Sequence, residues 1–162
     1  MFPIKSIVDQ IQGIRVGKKV VFCSGTFDLF HINHLSYLEK AKKEGDILVV
    51  GINCDKNVSK RKGLERPIIP EDDRASIISS LSCVDFVFIK RCSFEKEYII
   101  SILKPDVIVF NNDEIRSESH IKRCDYLMEI FPDIQFVYVK AKTAKNNGWS
   151  TTKIIQKIQN SS

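Results

Sequence analysis

Five short apolar runs stand out in the hydrophobic pattern of the chain. They are rich in Val, Ile and Phe, and polar or turn-forming residues bound them, which predicts β-strands. The run Ile47–Ile52 contains no polar residue, as is typical of a strand in a parallel sheet that is covered on both faces. The predicted strands are Lys19–Ser24, Ile47–Ile52, Val84–Ile89, Val107–Phe110 and Ile134–Val139.

Segments with helical spacing separate these runs. Apolar residues recur every three to four positions over Ile4–Ile14, which predicts a lead-in helix with one apolar face. A proline followed by acidic residues begins another helix, and two serines are typical helix N-caps. The further predicted helices are Asn33–Lys43, one that begins at Pro70, Ser93–Leu103, Ser119–Phe131 and one that begins at Ser150.

This alternation predicts an α/β domain with a parallel sheet of about five strands and helices on both faces. The length of 162 residues fits a single domain, residues 1–162, in which residues 1–18 carry the lead-in helix. The segment Asn53–Pro70 is polar and basic. We expect a long loop there, of a kind that is often functional.

Composition and charge narrow the class of protein. The net charge of +5 is modest and no basic run is interleaved with aromatic residues, so we expect no nucleic-acid partner. The sequence has no apolar run long enough to cross a bilayer and no signal-peptide pattern at its start. Five scattered cysteines without a C-x-x-C pair fit reduced thiols. We therefore expect a cytoplasmic protein without a membrane partner or a zinc site.

The segment Gly25–His34, which reads G-T-F-D-L-F-H-I-N-H, follows the first predicted strand. A strand, a glycine turn and a helix N-terminus can bind phosphate, because free N–H groups and the helix dipole point at the anion. His31 and His34 fall on one face of that helix, where their imidazoles can donate hydrogen bonds to phosphoryl oxygens. The alternatives are one surface and one core histidine, or a pair of metal ligands without a third ligand at recognisable spacing.

This segment resembles the G-T-F-D-x-x-H-x-x-H signature of the cytidylyltransferase-like nucleotidyltransferases, and the resemblance extends over roughly Lys19–Ile158. It implies a Rossmann-like fold and Mg²⁺ as cofactor. It also implies a reaction in which an NTP and a phosphorylated small acceptor release pyrophosphate. His31 and His34 would then contact the triphosphate and stabilise charge at the α-phosphorus.

The resemblance also gives roles to the turn between the strand and the histidines. Thr26 and Phe27 would present backbone N–H groups to a phosphate of the nucleotide. Asp28 would orient the acceptor or hold a cation, and its alternative role is to cap the turn.

Polar segments follow several of the predicted strands. Because parallel strands end at one edge of the sheet, we expect these segments to converge on a ligand site. They are Gly25–His34, Asn53–Arg66, Asn111–Glu114 and Gly148–Thr152.

The second of these segments supplies candidate cations. Lys60 and Lys62 are point charges suited to phosphate, and the alternative is that they are solvated linker charges. Two stretches resemble motifs of the heptose-1-phosphate adenylyltransferases. K-G-L-E-R-P at Lys62–Pro67 resembles K-G-x-x-R-P, and P-E-D-D-R at Pro70–Arg74 resembles P-E-x-x-R. This implies a catalytic Lys62, substrate contacts from Lys60 and Lys62, and a nucleotide contact from Arg74. The alternative for Arg74 is an ion pair with Glu71 or Asp85.

The stretch Ser150, Thr151 and Thr152 begins the last predicted helix. Its hydroxyls and free N–H groups suit both an N-cap and a phosphate cradle. The resembled family has a matching S-T-T motif that grips the β- and γ-phosphates, which implies that all three residues bind nucleotide. Lys142 and Lys145 would add positive charge nearby.

The chain departs from the resembled family at Asn111–Asp113, near the base pocket, where Asn112 is a predicted nucleotide contact. The choice of base and acceptor therefore stays open. ATP with a sugar 1-phosphate is the leading hypothesis, because of the Arg66-Pro67 and Arg74 context. CTP with glycerol 3-phosphate or another phospho-alcohol is the alternative.

Other classes of function are weaker hypotheses. They are a nucleotide-binding regulator without turnover and a protein–protein module on the same scaffold. The sequence contains neither G-x-G-x-x-G nor a Walker A pattern, which argues against a dinucleotide oxidoreductase and a P-loop enzyme. Homodimers are common among enzymes of the resembled family, and a homodimer is a further expectation.

Overall fold

A computed structural model describes residues 4–91, 96–112, 118–141 and 149–161. Within these ranges the five predicted strands are present, and each end lies within two residues of its predicted position. The strands are β1 (Val20–Gly25), β2 (Ile47–Asn53), β3 (Phe86–Lys90), β4 (Val107–Asn111) and β5 (Gln135–Val139). The helices are α1 (Ile4–Ile14), α2 (Ile32–Lys42), α3 (Asp55–Lys62), α4 (Glu71–Ser79), α5 (Lys96–Leu103), α6 (Glu118–Ile130) and α7 (Thr151–Gln159).

The strands form one parallel sheet in the order β3-β2-β1-β4-β5. The α/β fold with helices on a parallel sheet is thereby confirmed. The chain starts in the centre of the sheet at β1, adds β2 and β3 on one side, and then crosses to β4 and β5 on the other. Because the strand order reverses between β1 and β4, their carboxyl ends flank the crevice in which such sheets bind ligands.

Two apolar cores cover the two faces of the sheet, which is why the strand sequences are apolar throughout. One core joins the strands to α2 and α4, and the other joins them to α1, α5 and α6. The first core includes Cys23, Val50, Leu38 and Ile78, and the second includes Phe22, Ile108, Ile7, Ile100 and Leu127.

An aspartate directly precedes β2, β3 and β4, and each one caps a neighbouring strand. The Asp46 carboxylate accepts from the backbone N–H of Lys19 at 2.8 Å, and that of Asp85 accepts from Leu48 at 2.7 Å. The Asp106 carboxylate accepts from the N–H of Val20 at 2.7 Å. These bonds satisfy backbone donors at the amino edge of the sheet and fix how the strands are staggered.

The segment Asn53–Pro70 is not a continuous loop, because α3 lies inside it. Asp55 in its first turn and three basic residues in its last turn match the helix dipole, and Gly63 ends the helix with a φ of 98°. Val58 is its one buried side chain, so the segment has no apolar periodicity that predicts a helix.

Some predicted features lie outside the described residues, among them the N-cap Ser93. No helix in the described part of the chain combines the length and the hydropathy that crossing a membrane requires.

Replacing Asp106 with Ala should lower the free energy of unfolding by about 1–2 kcal/mol, because the N–H of Val20 loses its acceptor. Asp106→Asn keeps an acceptor oxygen and should lose less. Urea denaturation of both variants measures the difference, and equal losses would show that the bond to Val20 does not carry the effect.

Candidate functional site

The two histidines lie at the start of α2, directly after the turn that follows β1. His31 is the N-cap of the helix, and its carbonyl accepts from the backbone N–H of His34 at 2.8 Å. The two imidazole rings are stacked, with centroids 3.8 Å apart and an interplanar angle of 19°. Both rings therefore lie on one face of the helix start, as their spacing predicts.

The turn that precedes the histidines has an unusual backbone. Phe27 and Leu29 have positive φ angles of 55° and 45°, a conformation that non-glycine residues rarely adopt. The Phe27 ring packs edge-on against His34, with centroids 5.4 Å apart. A Cβ on Gly25 would lie 2.8 Å from that ring, so glycine is needed here for the close approach. The buried Phe27 ring thus fixes the position of His34, while its predicted backbone contact with phosphate stays a prediction.

Both imidazoles are held in the neutral form at physiological pH. Burial and, after it, the neighbouring charges of His31 and Lys62 lower the pKa of His34 to about 3, against an opposing effect of Asp28. Burial also lowers the pKa of His31. The Nδ1 atoms of both rings are buried and have no hydrogen-bond partner among the described residues. The Nε2 atoms are therefore the candidates for contact with a ligand.

Asp28 lies in the same turn, but its carboxylate is committed to the protein. It forms an ion pair with Arg66 at 2.9 Å, and it accepts from the backbone N–H groups of Ile68 and Ile69 at 3.0–3.1 Å. The Asp28 side chain is only 1% exposed. In the structure the carboxylate holds the loop after α3 against the turn, and its predicted contact with an acceptor or a cation stays a prediction.

Arg74 is buried as well, with 1% of its surface exposed. Its guanidinium donates to the carbonyls of Thr26, Ile69 (2.9 Å) and Asn53 (2.9 Å), and forms an ion pair with Asp55 at 2.6 Å. These bonds use its donors inside the protein, and its ion pair is with Asp55 and not with Glu71 or Asp85. The predicted nucleotide contact of Arg74 stays a prediction. Arg74 is a positioning residue that ties the ends of β1 and β2 to the start of α3.

The start of α7 is docked onto the histidine turn. The Thr151 hydroxyl donates to the carbonyl of Asp28 at 2.8 Å, and the Asn33 side chain donates to the carbonyl of Trp149 at 2.6 Å. Ser150 is the N-cap of the helix, and its hydroxyl accepts from the backbone N–H of Lys153 at 3.2 Å. The structure thus brings the Ser150–Thr152 stretch to the histidines, as the sequence predicts.

The last turn of α3 carries charge to the same region. The positive charge of Lys62 is one of the causes of the low pKa of His34, so this lysine lies near His34. Arg61 donates to the hydroxyl of Thr26 at 3.3 Å. Lys60 is exposed on α3. Its predicted substrate contact, like that of Lys62, stays a prediction.

A cleft opens at the carboxyl ends of β1, β2, β3 and β4, and it contains two cations that the sequence reasoning missed. Lys90 and Lys96 line it together with Arg61, and Asn53 and Asn111 add side-chain amides. We call it the basic cleft. Lys90 is the last residue of β3, so the strand-end criterion used for the other segments would have found it.

Other predicted residues contribute less to this arrangement. Asn112 follows β4 directly and is exposed, and its nucleotide contact stays a prediction. Asp113, Glu114, Lys142, Lys145 and Gly148 lie outside the described residues.

Comparisons with known proteins agree with this geometry. A family model described as cytidylyltransferase-like matches residues 22–157. The crystal structure of the lipopolysaccharide core biosynthesis protein from Thermoplasma volcanium GSS1 is similar with a TM-score of 0.64 and 28% sequence identity. The match covers 78% of this chain and 100% of that chain.

Curated relatives carry the name bifunctional protein HldE. The protein from Helicobacter pylori strain P12 is 41% identical over 162 residues, which cover 98% of this chain and 31% of the relative. The protein from Campylobacter fetus subsp. fetus strain 82-40 is 38% identical over 159 residues, or 96% of this chain and 31% of the relative. The chain thus spans about a third of the length of the curated relatives that it matches.

Replacing Arg74 with Met should cost about 3–5 kcal/mol of the free energy of unfolding, because buried carbonyls lose their donors and Asp55 loses its partner. Arg91→Gln is the matched control. It breaks an exposed ion pair with Glu71 and should cost less than about 1 kcal/mol. Urea denaturation measures both, and equal effects would contradict the structural role of Arg74.

Stability should fall in acid because His34 is buried in the neutral form. Its pKa is about 6.5 in the unfolded chain and about 3 in the folded one. Between these values only the unfolded chain binds the proton, so unfolding becomes easier as the pH falls below 6.5. The contribution at pH 5 is about 2 kcal/mol. Urea denaturation at pH 7.5 and pH 5 should therefore show a smaller loss for His34→Asn than for the wild type. Parallel losses in the two proteins would rule out His34 as the cause.

Proposed function

The chain belongs to the cytidylyltransferase-like family of nucleotidyltransferases, and from this premise we propose that it transfers a nucleoside monophosphate from an NTP to a phosphorylated small acceptor. Pyrophosphate is the second product. ATP is the favoured nucleotide and a sugar 1-phosphate is the favoured acceptor class.

One observation carries this proposal, which is the docking of the α7 N-terminus onto the turn and helix start that carry the stacked histidines. The bonds from Thr151 to Asp28 and from Asn33 to Trp149 hold the two segments side by side. A helix N-terminus attracts phosphate through its free N–H groups and its dipole, and imidazole N–H groups bind phosphoryl oxygens. A triphosphate that spans both segments satisfies the two sets of donors at once.

The histidines act in this reaction as neutral hydrogen-bond donors. Since their pKa values are lowered by burial, each imidazole carries one N–H, and the Nε2 atoms can direct it at an oxygen of the α-phosphate. Charge builds up on that phosphate while an acceptor oxygen attacks and pyrophosphate leaves in line. The stacked rings and the Lys62 charge stabilise it without a covalent intermediate, by positioning and electrostatics.

The described residues do not offer a protein-built site for the predicted Mg²⁺. They contain no group of three or more candidate ligands, and the Asp28 carboxylate is used by Arg66 and two backbone N–H groups. Mg²⁺ in nucleotide sites is bound mainly through substrate phosphates and water. Mg²⁺ therefore remains a proposal from family resemblance, and no step above depends on a protein ligand to it.

The identity of the acceptor is supported by the relatives and by the loop after α3. The structural neighbour is named for lipopolysaccharide core biosynthesis, and the curated relatives from Helicobacter pylori strain P12 and Campylobacter fetus match 96–98% of this chain. Arg66, in the stretch that resembles the heptose-1-phosphate branch, is fixed beside the turn by Asp28. CTP with glycerol 3-phosphate or another phospho-alcohol stays the alternative, because the departure from the resembled family at Asn111–Asp113 leaves the base and the acceptor open.

Replacing His31 with Ala should lower kcat by about a hundred- to a thousandfold while the chain stays folded, because a donor to the transition state is lost. Pyrophosphate release measures this, with ATP, CTP, GTP and UTP crossed against sugar 1-phosphates and phospho-alcohols. The winning pair identifies base and acceptor.

His120→Ala is the matched control, since this third histidine lies on α6. It should keep its turnover within a few-fold. Undiminished release in His31→Ala would contradict the assigned role. Nucleotide binding without release across the whole panel would favour a non-catalytic regulator.

A further inference from the structure

The basic cleft concentrates positive charge at the point where four strands end. Arg61, Lys90 and Lys96 line it, and no carboxylate is found among its described lining residues. None of the three forms an ion pair with a carboxylate in the part of the chain that the structure describes. Lys90 and Lys96 are partly buried, whereas Arg61 is exposed. Partly buried cations without a counter-charge are costly, which makes these two lysines a marker of an anion-binding site.

Lys90 is held in this cleft by neutral groups. Its ammonium donates to the amide oxygen of Asn53 at 3.1 Å and approaches the hydroxyl of Ser24 at 3.4 Å. A Cβ on Gly51 would lie 2.8 Å from the Lys90 side chain, so the glycine leaves the space that the lysine stem occupies. The side chain is therefore built into the cleft and is not a solvated surface lysine.

The three cations repel one another at close range. Burial, followed by the charges of Lys96 and Arg61, lowers the pKa of Lys90 to about 7. Burial also lowers the pKa of Lys96, whose ammonium lies 5.3 Å from the centroid of the Phe110 ring. A bound anion would remove this repulsion, because it favours the charged form of each lysine.

The rest of the lining suits a small polar body. Asn53 and Asn111 offer amide donors and acceptors, and apolar side chains of α5 and α6 line another part of the cleft. Arg61 joins the cleft to the histidine turn through the Thr26 hydroxyl. A ligand in the cleft therefore lies next to the segment that holds the nucleotide in the proposed reaction.

We propose that the basic cleft is the acceptor site, in which Arg61, Lys90 and Lys96 hold a negatively charged group of the acceptor. This inference rests on the proposed function for the name of the ligand, but the anion site itself does not. Lys90 and Lys96 then determine which acceptors are used, and they act on acceptor binding rather than on the nucleotide.

The test is calorimetric titration of inorganic phosphate into the full chain without nucleotide, at constant ionic strength. Lys96→Gln and Lys90→Gln should each weaken phosphate binding by about tenfold or more, since each removes a charge-assisted bond. Lys56→Gln is the matched control, because Lys56 is exposed on α3 and does not line the cleft. It should bind phosphate like the wild type. If Lys90→Gln does not fold, the Lys96→Gln result decides.

Two results overturn the proposal, namely no phosphate binding to the wild type and equal binding to the wild type and both cleft variants. Equal binding would place the phosphate at the histidines or at α7 instead. Because no nucleotide is present, a chain that binds phosphate in the cleft but releases no pyrophosphate would refute the proposed function alone.

Kinetics with a hexose 1-phosphate and the corresponding hexuronic acid 1-phosphate then identify the anionic group. The cleft variants should raise KM for the acceptor and leave KM for the NTP unchanged. An equal rise for both acceptors assigns the cleft to the shared phosphate, and a rise confined to the uronic acid assigns it to a second anionic group. A rise in KM for the NTP alone would contradict the acceptor assignment.

Discussion

The buried guanidinium of Arg74 is the interaction on which the arrangement of the site depends. One planar group satisfies the carbonyls of Thr26 and Asn53, where β1 and β2 end, and pairs with Asp55, where α3 begins. Only an arginine can reach acceptors in so many directions, because its donors form a rigid fork. Since the histidine turn continues from Thr26 and the basic residues lie on α3, the position of both follows from this one side chain.

A second ion pair, between Asp28 and Arg66, fixes the loop after α3 against the turn in the same way. It fixes the turn at its centre, where Phe27 and Leu29 have positive φ angles. Such conformations persist only where the surroundings over-determine them. The charged groups of Asp28, Arg66 and Arg74 are thus used in holding the turn. This leaves the neutral imidazoles and the charge of Lys62 as the groups that act on the ligand in the proposed reaction. Donors that are already aligned need no reorganisation when charge develops on a phosphate.

The fold could be predicted from the sequence to the extent that its signals are local. The strands are continuous apolar runs because both faces of the sheet are covered, and the histidines stack because they lie three positions apart at the start of a helix. The sequence did not predict the helix α3, because Val58 is its one buried side chain and its start is stabilised by Arg74 of α4. Tertiary contacts of this kind leave no periodic pattern.

In the candidate site, too, local signals predict some features, and only tertiary contacts decide the others. Asp28, Arg66 and Arg74 are charged residues in or near family motifs, and their spacing alone does not say which of them face a ligand and which face each other. The sheet decides this, because it places partners from distant segments at one edge. Lys90 could have been found as the last residue of β3. Its grouping with Lys96 of α5 and Arg61 of α3 is set by the fold and leaves no pattern in the sequence.

The helix α3 connects the two halves of the site. Arg61 and Lys62 are consecutive, so their side chains point about 100° apart around the helix axis. Arg61 is directed at Thr26 and the basic cleft, while the charge of Lys62 acts on His34. The cleft reaches toward apolar residues of α5 and α6, whereas α7 is bound to the α2 side of the turn. In the proposed reaction an acceptor in the cleft and a pyrophosphate at α7 would therefore approach the α-phosphorus from different directions. In-line displacement requires such separation of the attacking and leaving oxygens, and here it would follow from the position of the short helix α3 between the cleft and the histidines.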